Sequence, residues 1–333
     1  MAALSVGIDV SPLAQTRAGT ARYIEELTTA LEAEHVELRR YGFGGGGRAS
    51  ALARDAVWYP ALLPAIARRD RVDVLHCPTF RAPLRSSVPL VVTFHDLAVV
   101  RHPEAFNAWT RRYSALTLPR IAAAAAAIIA VSEFTKRELV QLLRVPAEKV
   151  HVVRNAVGPP FRREGPASEG NYVLAVSTLE PRKNLETLIE AFGRAELGES
   201  ELRVVGARGW GGVHVNGDRV RYLGFVRDDE LASLYRGARC VAYVSRYEGF
   251  GFPVLEALAC GAPVVAADLP PIREFADGAA IMVDPTDPDA IAAALTEAAR
   301  GTKGRELGTG LAGRHDWARA AAETIAVYRA VAT

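Results

Sequence analysis

The chain has 333 residues and a mass of 35.8 kDa, which is room for two domains at roughly 100–200 residues each. Half of the residues are hydrophobic and 23% are charged, so a large core can form and global disorder is excluded. The net charge of +2 predicts no polyanionic partner such as nucleic acid, but it hides a contrast. Residues 1–165 hold 22 Lys+Arg against 15 Asp+Glu, and the remainder hold 18 against 23, so a basic half precedes an acidic one. Cys77, Cys240 and Cys260 are odd in number and far apart, with no CxxC. That argues against a disulfide framework or a zinc site and for a reducing compartment. MAALSVGIDV lacks the regions of a signal peptide. The longest apolar run, Ile121–Val131, has 11 residues, where a membrane span needs about 20. A soluble, cytoplasmic chain is expected.

In chain order, short apolar and β-branched runs predict strands at 5–10, 36–41, 72–76, 90–93, 128–131 and 150–154. A second series follows at 172–177, 201–206, 220–223, 240–244, 263–267 and 280–283. Helices are predicted over 21–34, 108–125, 133–143, 183–195, 230–237, 252–259, 287–300 and 315–330. Apolar strands alternating with helices indicate parallel sheets covered on both faces. Between the two series, GPPFRREGPASEG (Gly158–Gly170) reads as an interdomain linker. The fold class is therefore α/β, with two Rossmann-like, doubly wound domains at 1–160 and 168–314 facing each other across a cleft. Ligands of such sheets bind at the carboxyl ends of strands.

One motif is discounted. Gly42-Phe-Gly44-Gly-Gly-Gly47 matches GxGxxG, but a dinucleotide fingerprint belongs after the first strand and opens a helix. Here it follows the second predicted strand, and RASALARD is a poor start for a long helix, so a flexible surface loop is the better reading. No GxxxxGK[ST] occurs.

Four segments carry chemistry. In Glu248-GFGFPVL-Glu256, a strand ends at a loop whose Gly249 and Gly251 let backbone approach a ligand. Pro253 sits near a helix start, where its missing N–H costs little, and Glu256 falls about one turn in. Carboxylates accept hydrogen bonds from sugar hydroxyls, and free helix N–H groups suit phosphate. The bland alternative is that both glutamates favour the helix dipole. In Ser177-TLEP-Arg182-Lys183-Asn184, two cations stand at a predicted helix N-terminus, against the dipole, and a bound anion would remove the conflict. Only four lysines occur in the chain, so Lys183 suggests a compact phosphate-binding charge, with a solvated surface pair as the alternative. In SPLAQTRAGTARY, Gly19 precedes a predicted helix containing Arg22 and could offer a backbone amide to phosphate, though taken alone the signal is weak and an ordinary loop is the better reading. In Thr93-Phe94-His95-Asp96, a strand-end histidine beside a carboxylate can donate to a substrate oxygen; a lone histidine is more often structural. No metal-ligand spacing is present.

Together these segments resemble the retaining, nucleotide-sugar-dependent glycosyltransferases of the GT-B fold, family 4, also called glycosyl transferases group 1. The resemblance covers nearly the whole chain and is most specific in STLEPRKNLETLIEAF and in YEGFGFPVLEALACGAPVVAAD, which carries E-x7-E. HDLAVVRHPEAF, IIAVSEFTKREL, VPAEKVHVVRNAV and WARAAAETIAVYR add to it. It implies a basic acceptor-binding domain followed by an acidic donor-binding domain, with the helix at 315–330 crossing back to the first. It implies that Arg182 and Lys183 hold the donor diphosphate with help from the Gly19 loop. Glu256 would bind the ribose, and Glu248 hydroxyls of the transferred sugar, helped by the backbone of Gly249, Phe250, Gly251 and Phe252. Val226 and Asp228 would line the base pocket, and His95 would reach the donor sugar. Three departures are noted: Ser177-Thr178 where many relatives have Arg, Asn155-Ala156 where Asn-Gly is common, and Ala18-Gly19 where a glycine pair is frequent.

The implied activity is transfer of a hexose, with retention, to a hydroxyl of a saccharide or lipid-linked acceptor. The resemblance to bacterial polysaccharide and O-antigen mannosyltransferases puts GDP-mannose first as donor, ahead of UDP-glucose and dTDP-rhamnose. Cationic stabilisation of the leaving group needs no metal or other cofactor. Two alternatives are a catalytically silent sugar-nucleotide-binding protein and a Rossmann oxidoreductase. The complete set of candidate residues argues against the first, and the misplaced GxGxxG against the second. The basic stretches WYPALLPAIARRDR and WTRRYSALTLPR read either as a solvated face or as a peripheral contact with an anionic membrane.

Overall fold

The computed structural model describes residues 4–16, 19–45, 47–209, 211–301 and 305–332. The chain divides into two compact units, Met1–Asn155 with Trp317–Thr333, and Ala156–Asp316.

The first unit contains β1 (Ser5–Asp9), α1 (Gly19–Ala33), β2 (Glu37–Tyr41), α2 (Arg48–Ala53), a π-helix (Arg54–Leu62), α3 (Leu63–Arg69), β3 (Val74–Cys77), β4 (Leu90–Phe94), α4 (Ala98–Arg101), α5 (Ala108–Ala124), β5 (Ala127–Ala130), α6 (Glu133–Leu143) and β6 (Val150–Val152). Among the described residues its parallel sheet runs β2-β1-β3-β4-β5-β6. β3, β4 and β5 are wholly buried, whereas ELRRY in β2 is mostly exposed at an edge that its charges keep from pairing further. Asn107 and Ser132 cap α5 and α6 by accepting the amides of Thr110 and Thr135, each three residues on.

The second unit contains β7 (Tyr172–Val176), a 3₁₀ turn (Pro181–Lys183), α7 (Leu185–Arg194), β8 (Glu201–Val205), β9 (Val220–Gly224), α8 (Asp228–Gly237), β10 (Cys240–Tyr243), α9 (Phe252–Ala259), β11 (Val264–Ala267), α10 (Pro270–Ala276), β12 (Ile281–Val283), α11 (Pro288–Arg300) and α12 (Arg305–Ala312). Its sheet order is β12-β11-β10-β7-β8-β9, and the order reverses between β7 and β10. Leu185, Leu188, Ala191 and Phe192 recur at helical spacing and bury the inner face of α7 in the core of this sheet.

Several expectations are corrected. A helical run over 48–69 does follow the glycine-rich loop, pinned because Trp58 and Tyr59 of the π-helix donate to the buried Asp9 carboxylate, at 3.3 and 3.0 Å. Gly46 of that loop, Ala18 and Trp210 lie outside the described residues. Gly19 is the first residue of α1 rather than a residue before it. Residues 158–170 are fastened to the second unit: Arg236 of α8 donates to the carbonyls of Arg162 and Pro166, at 3.0 and 2.6 Å.

The C-terminal helix α13 (Trp317–Val331) belongs to the first unit. Tyr328 and the buried His76 of β3 share a 2.7 Å hydrogen bond, and the other ring nitrogen of His76 meets Thr93 Oγ1 at 2.8 Å. Burial, with His95 nearby, pushes the His76 pKa down to about 3, so the ring is neutral near pH 7. Tyr328→Phe leaves one buried nitrogen unsatisfied and is expected to cost about 1–3 kcal/mol in denaturant melts. An unchanged midpoint would contradict the role assigned to this contact.

Candidate functional site

The loops after β7 and β10 flank the point where the strand order of the second unit reverses, the place where open α/β sheets bind ligands. Both loops carry the residues singled out in the sequence. Lys183 Nζ donates to Glu248 Oε1 at 2.6 Å and lies 3.3 Å from the Tyr243 hydroxyl. Arg182 donates to Glu248 Oε2 at 3.1 Å, to Glu180 Oε1 at 2.8 Å and to the Tyr247 carbonyl at 2.7 Å. The three ionic side chains Arg182, Lys183 and Glu248 are each mostly buried.

The two cations are not in the first turn of a helix, as the sequence suggested. They occupy the 3₁₀ turn, and α7 starts at Leu185. The break is made at Asn184, which takes a left-handed conformation (φ 60°) that asparagine tolerates better than most residues. Its side-chain amide donates to the carbonyls of Val244 and Pro285, at 3.0 and 2.7 Å, and its oxygen accepts from Arg246 at 2.9 Å. Asn184 thus ties together the loops after β7, β10 and β12. Sequence reasoning passed over it, although an Asn directly after Arg-Lys at a helix start was a usable signal.

The dipole conflict is eased by carboxylates rather than by distance. Burial opposes charge on Glu248, but Lys183 and Arg182 outweigh it and bring its pKa down to about 2. The folded pKa lies below the ordinary carboxylate value of 4.5. The stabilisation it links to folding is therefore complete above pH 4.5 and lost as pH falls towards 2. Glu248→Gln removes that contribution, so the stability gap between wild type and variant should be constant near neutrality and shrink below pH 4.5. A gap unchanged down to pH 3 would sink this assignment. Tyr243 keeps its proton, because burial and then the Glu248 charge raise its pKa well above 10.

Two buried polar atoms in this loop have no hydrogen-bond partner, Ser177 Oγ and Glu180 Oε2. Buried polar groups are rarely left so. A cavity of about 310 Å³ lies beside the loop, lined by Leu179, Arg208, His214 and Tyr222 among others.

The remaining candidates are placed less uniformly. Gly251 has φ 122° and precedes α9. Phe250 is buried and stacks on Phe275 at 4.7 Å, and it meets Phe252 edge to face. Its ring is thus core, which leaves the backbone rather than the side chain of Phe250 for a ligand. Glu256 is buried on α9 and accepts from the Tyr235 hydroxyl at 3.0 Å. Val226 is buried and Asp228 opens α8, both just beyond the carboxyl end of β9.

Gly19 and His95 belong to the first unit. His95 packs edge to face on Tyr23, and its Nε2 is 2.9 Å from the Pro78 carbonyl. A carbonyl only accepts, so Nε2 carries the proton and Nδ1 is left as an acceptor. Burial lowers the His95 pKa, opposed by the Pro78 hydrogen bond and by Asp96. The expectation of a donor histidine is corrected accordingly. Among the described residues, no group of three or more His, Cys, Asp or Glu could hold a metal ion.

Residues 160–307 match the family described as glycosyl transferases group 1, and residues 17–159 the family described as glycosyltransferase family 4. The chain is 33% identical over 293 residues to the O-antigen chain mannosyltransferase B of Escherichia coli, covering 80% of this chain and 76% of that protein. In structure it is similar to sucrose-phosphate synthase from Thermosynechococcus elongatus, with a TM-score of 0.81 at 18% identity over 98% of this chain and 99% of that one. It is also similar to HepE of Anabaena in complex with UDP and glucose, with a TM-score of 0.75 at 19% identity over 98% and 100%. Two doubly wound parallel sheets and the sequence matches over both units agree: the chain belongs to the group 1, family 4 glycosyltransferases and has their GT-B fold.

Proposed function

We propose that the protein is a retaining hexosyltransferase that moves a sugar from a nucleoside diphosphate sugar to a hydroxyl of a saccharide or lipid-linked acceptor. The observation that carries this reading is the Arg182–Glu248–Lys183 cluster at the strand-order reversal, with Ser177 Oγ and Glu180 Oε2 left without partners beside it. Arg182 and Lys183 take the diphosphate, Glu248 accepts sugar hydroxyls while holding both cations in place, and the backbone of 249–252 closes on the donor. Val226 and Asp228 serve the base, Glu256 the ribose, and the Gly19 amide the diphosphate. His95 contributes an acceptor nitrogen to a sugar hydroxyl.

In the transfer, the bond from the anomeric carbon to phosphate breaks with its electron pair leaving on the diphosphate. The acceptor oxygen bonds to the same face of that carbon, and its proton goes to a phosphate oxygen of the leaving group. Cations positioned where charge develops are the main source of rate. Finding the inverted anomer in the product would rule out this geometry. Activity abolished by chelator and restored by magnesium would rule out a metal-free donor site.

Mannose from GDP-mannose is the proposed donor, supported by the E. coli mannosyltransferase; UDP-glucose, supported by the UDP-bound HepE, and dTDP-rhamnose follow. The deciding experiment is a thermal-shift panel of GDP, UDP, dTDP and their sugars. Ligand at a hundred times its dissociation constant stabilises the folded state by about 2.7 kcal/mol. GDP and GDP-mannose should give the largest shifts, and no shift with any member would defeat the donor assignment.

Peripheral contact with anionic membrane on the cytoplasmic side is part of this proposal. It is supported by 22 Lys+Arg against 15 Asp+Glu in the first unit and by exposed Leu62, Trp109 and Leu116 on segments rich in arginine. Among the described residues, no helix is long and apolar enough to cross a membrane.

A further inference from the structure

The strand order of the first unit also reverses, between β1 and β3, and a buried ionic cluster is built from the segments around that point. Arg54 opens the π-helix that Asp9, at the end of β1, pins in place. Arg81 follows β3 and forms an ion pair with Asp55. Trp109, at the start of α5, donates its indole N–H to the other Asp55 oxygen at 3.3 Å, and Arg81 lies over the Tyr113 ring at 4.9 Å. Burial and then Asp55 push the Tyr113 pKa up to about 12 against the pull of Arg81 and Arg54, so its phenol keeps a proton to donate.

The charges do not balance. Asp55 is occupied by Arg81, while Arg54 is only 5% exposed and, among the described residues, has no ion pair and no hydrogen-bond partner for its Nε. A guanidinium cannot shed its proton to escape burial, and an uncompensated buried charge is costly. The other buried carboxylate nearby, Asp9, is taken up by the neutral donors Ser11, Trp58 and Tyr59, so neither carboxylate pairs with Arg54, which stands near a strand-order reversal, where open α/β sheets take ligands. π-Helical turns are themselves rare and frequent at functional sites. The cluster meets solvent at Trp109, which is half exposed and lies near Tyr113, with ring centroids 6.3 Å apart.

We propose that Arg54, with Arg81 and Tyr113, binds a phosphate group carried by the acceptor, and that Trp109 forms the rim against which the acceptor packs. The phosphate is the missing counter-charge for Arg54. Calling it the acceptor's rests on the glycosyltransferase reading, whereas the anion site does not.

The test uses the full chain and inorganic phosphate, read by tryptophan fluorescence and by calorimetry. Wild type should show a saturable, salt-sensitive fluorescence change. Arg54→Met should weaken phosphate binding at least tenfold, and Arg54→Lys should recover part of it. Trp109→Phe should lose the optical signal while calorimetric binding persists. Arg54→Met should melt no lower than wild type, because an unmatched buried charge is removed; a merely structural arginine would lower the melting temperature. Lys183→Ala serves as the separating control, since it should lose the response to nucleoside diphosphates and keep the Arg54-dependent response to phosphate. Loss of both responses in Lys183→Ala would mean that phosphate was binding at the donor site, which overturns the proposal. Phosphate binding unaltered by Arg54→Met, or absent from wild type, overturns it too, and nucleotide binding remains a separate result. Glucose 6-phosphate and dodecyl phosphate in phosphatidylcholine vesicles then distinguish a soluble from a lipid-borne phosphate, and either must depend on Arg54.

Discussion

Replacing Lys183 with alanine is expected to lower sugar transfer about 10²–10³-fold, the usual loss when one preorganised group facing developing charge is removed. The ammonium sits 2.6 Å from Glu248 and is mostly buried, so it is held before any ligand arrives and acts in a poorly solvated place. The loss should fall on the turnover number more than on the Michaelis constant, because charge on the leaving diphosphate is greatest in the transition state. A second signature is independent of activity. With Lys183 gone, Arg182 and the Tyr243 hydroxyl are left to offset the burial of Glu248, so the acid limb of the stability curve should move towards higher pH. Lys183→Arg should restore much of that limb but less of the rate, since a planar fork does not replace a compact charge. Transfer within threefold of wild type in Lys183→Ala would remove Lys183 from the mechanism.

Gly206→Ala is expected to destabilise the chain by about 2–4 kcal/mol, among the larger effects for a change of one methyl group. Gly206 directly follows β8 with φ 148°, and a Cβ there would lie 2.0 Å from the carbonyl oxygen of Ser177. That oxygen belongs to the backbone of the loop carrying Arg182 and Lys183, so relief of the clash must move the loop. Melting temperature and nucleotide binding should fall together. Gly193→Ala is the matched control: it lies in α7 with nothing within 4 Å of the added Cβ, and it should be neutral or stabilise by about 0.5–1 kcal/mol. Gly206→Ala with unchanged melting and nucleotide response would show that the approach of β8 to this loop is looser than described.

Much of the fold was legible because local pattern and tertiary role coincide. Buried parallel strands must be apolar on both faces, so runs such as VLHC, LVVTF and AIIA announce themselves, and all twelve expected strands form. The helices that were missed carry weaker local signals. α2, the π-helix and α3 lie over a stretch broken by Pro60 and Pro64, and what holds it is the hydrogen bonding of Trp58 and Tyr59 to Asp9, about fifty residues away. α10 is only seven residues long and starts at a proline pair.

The same division runs through the candidate site. Residue types and their spacing picked out Arg182, Lys183 and Glu248, because cations at a helix start oppose its dipole unless an anion meets them, and a carboxylate beside glycines suits a hydroxyl-bearing ligand that backbone must approach. That they pair with one another, across 65 residues of chain, was decided by the strand order that sets β7 beside β10. The sequence presented His95 as a donor, and only the Pro78 carbonyl, 17 residues back, made its free nitrogen an acceptor. The near-neutral charge total was equally uninformative by itself: split by unit, it separates a basic first unit from an acidic second. Which arginines in the basic unit are matched, and that Arg54 is not, depends on burial and on where Asp55 points. Sequence carries propensity and charge inventory; pairing across the sheet and desolvation exist only in the folded chain.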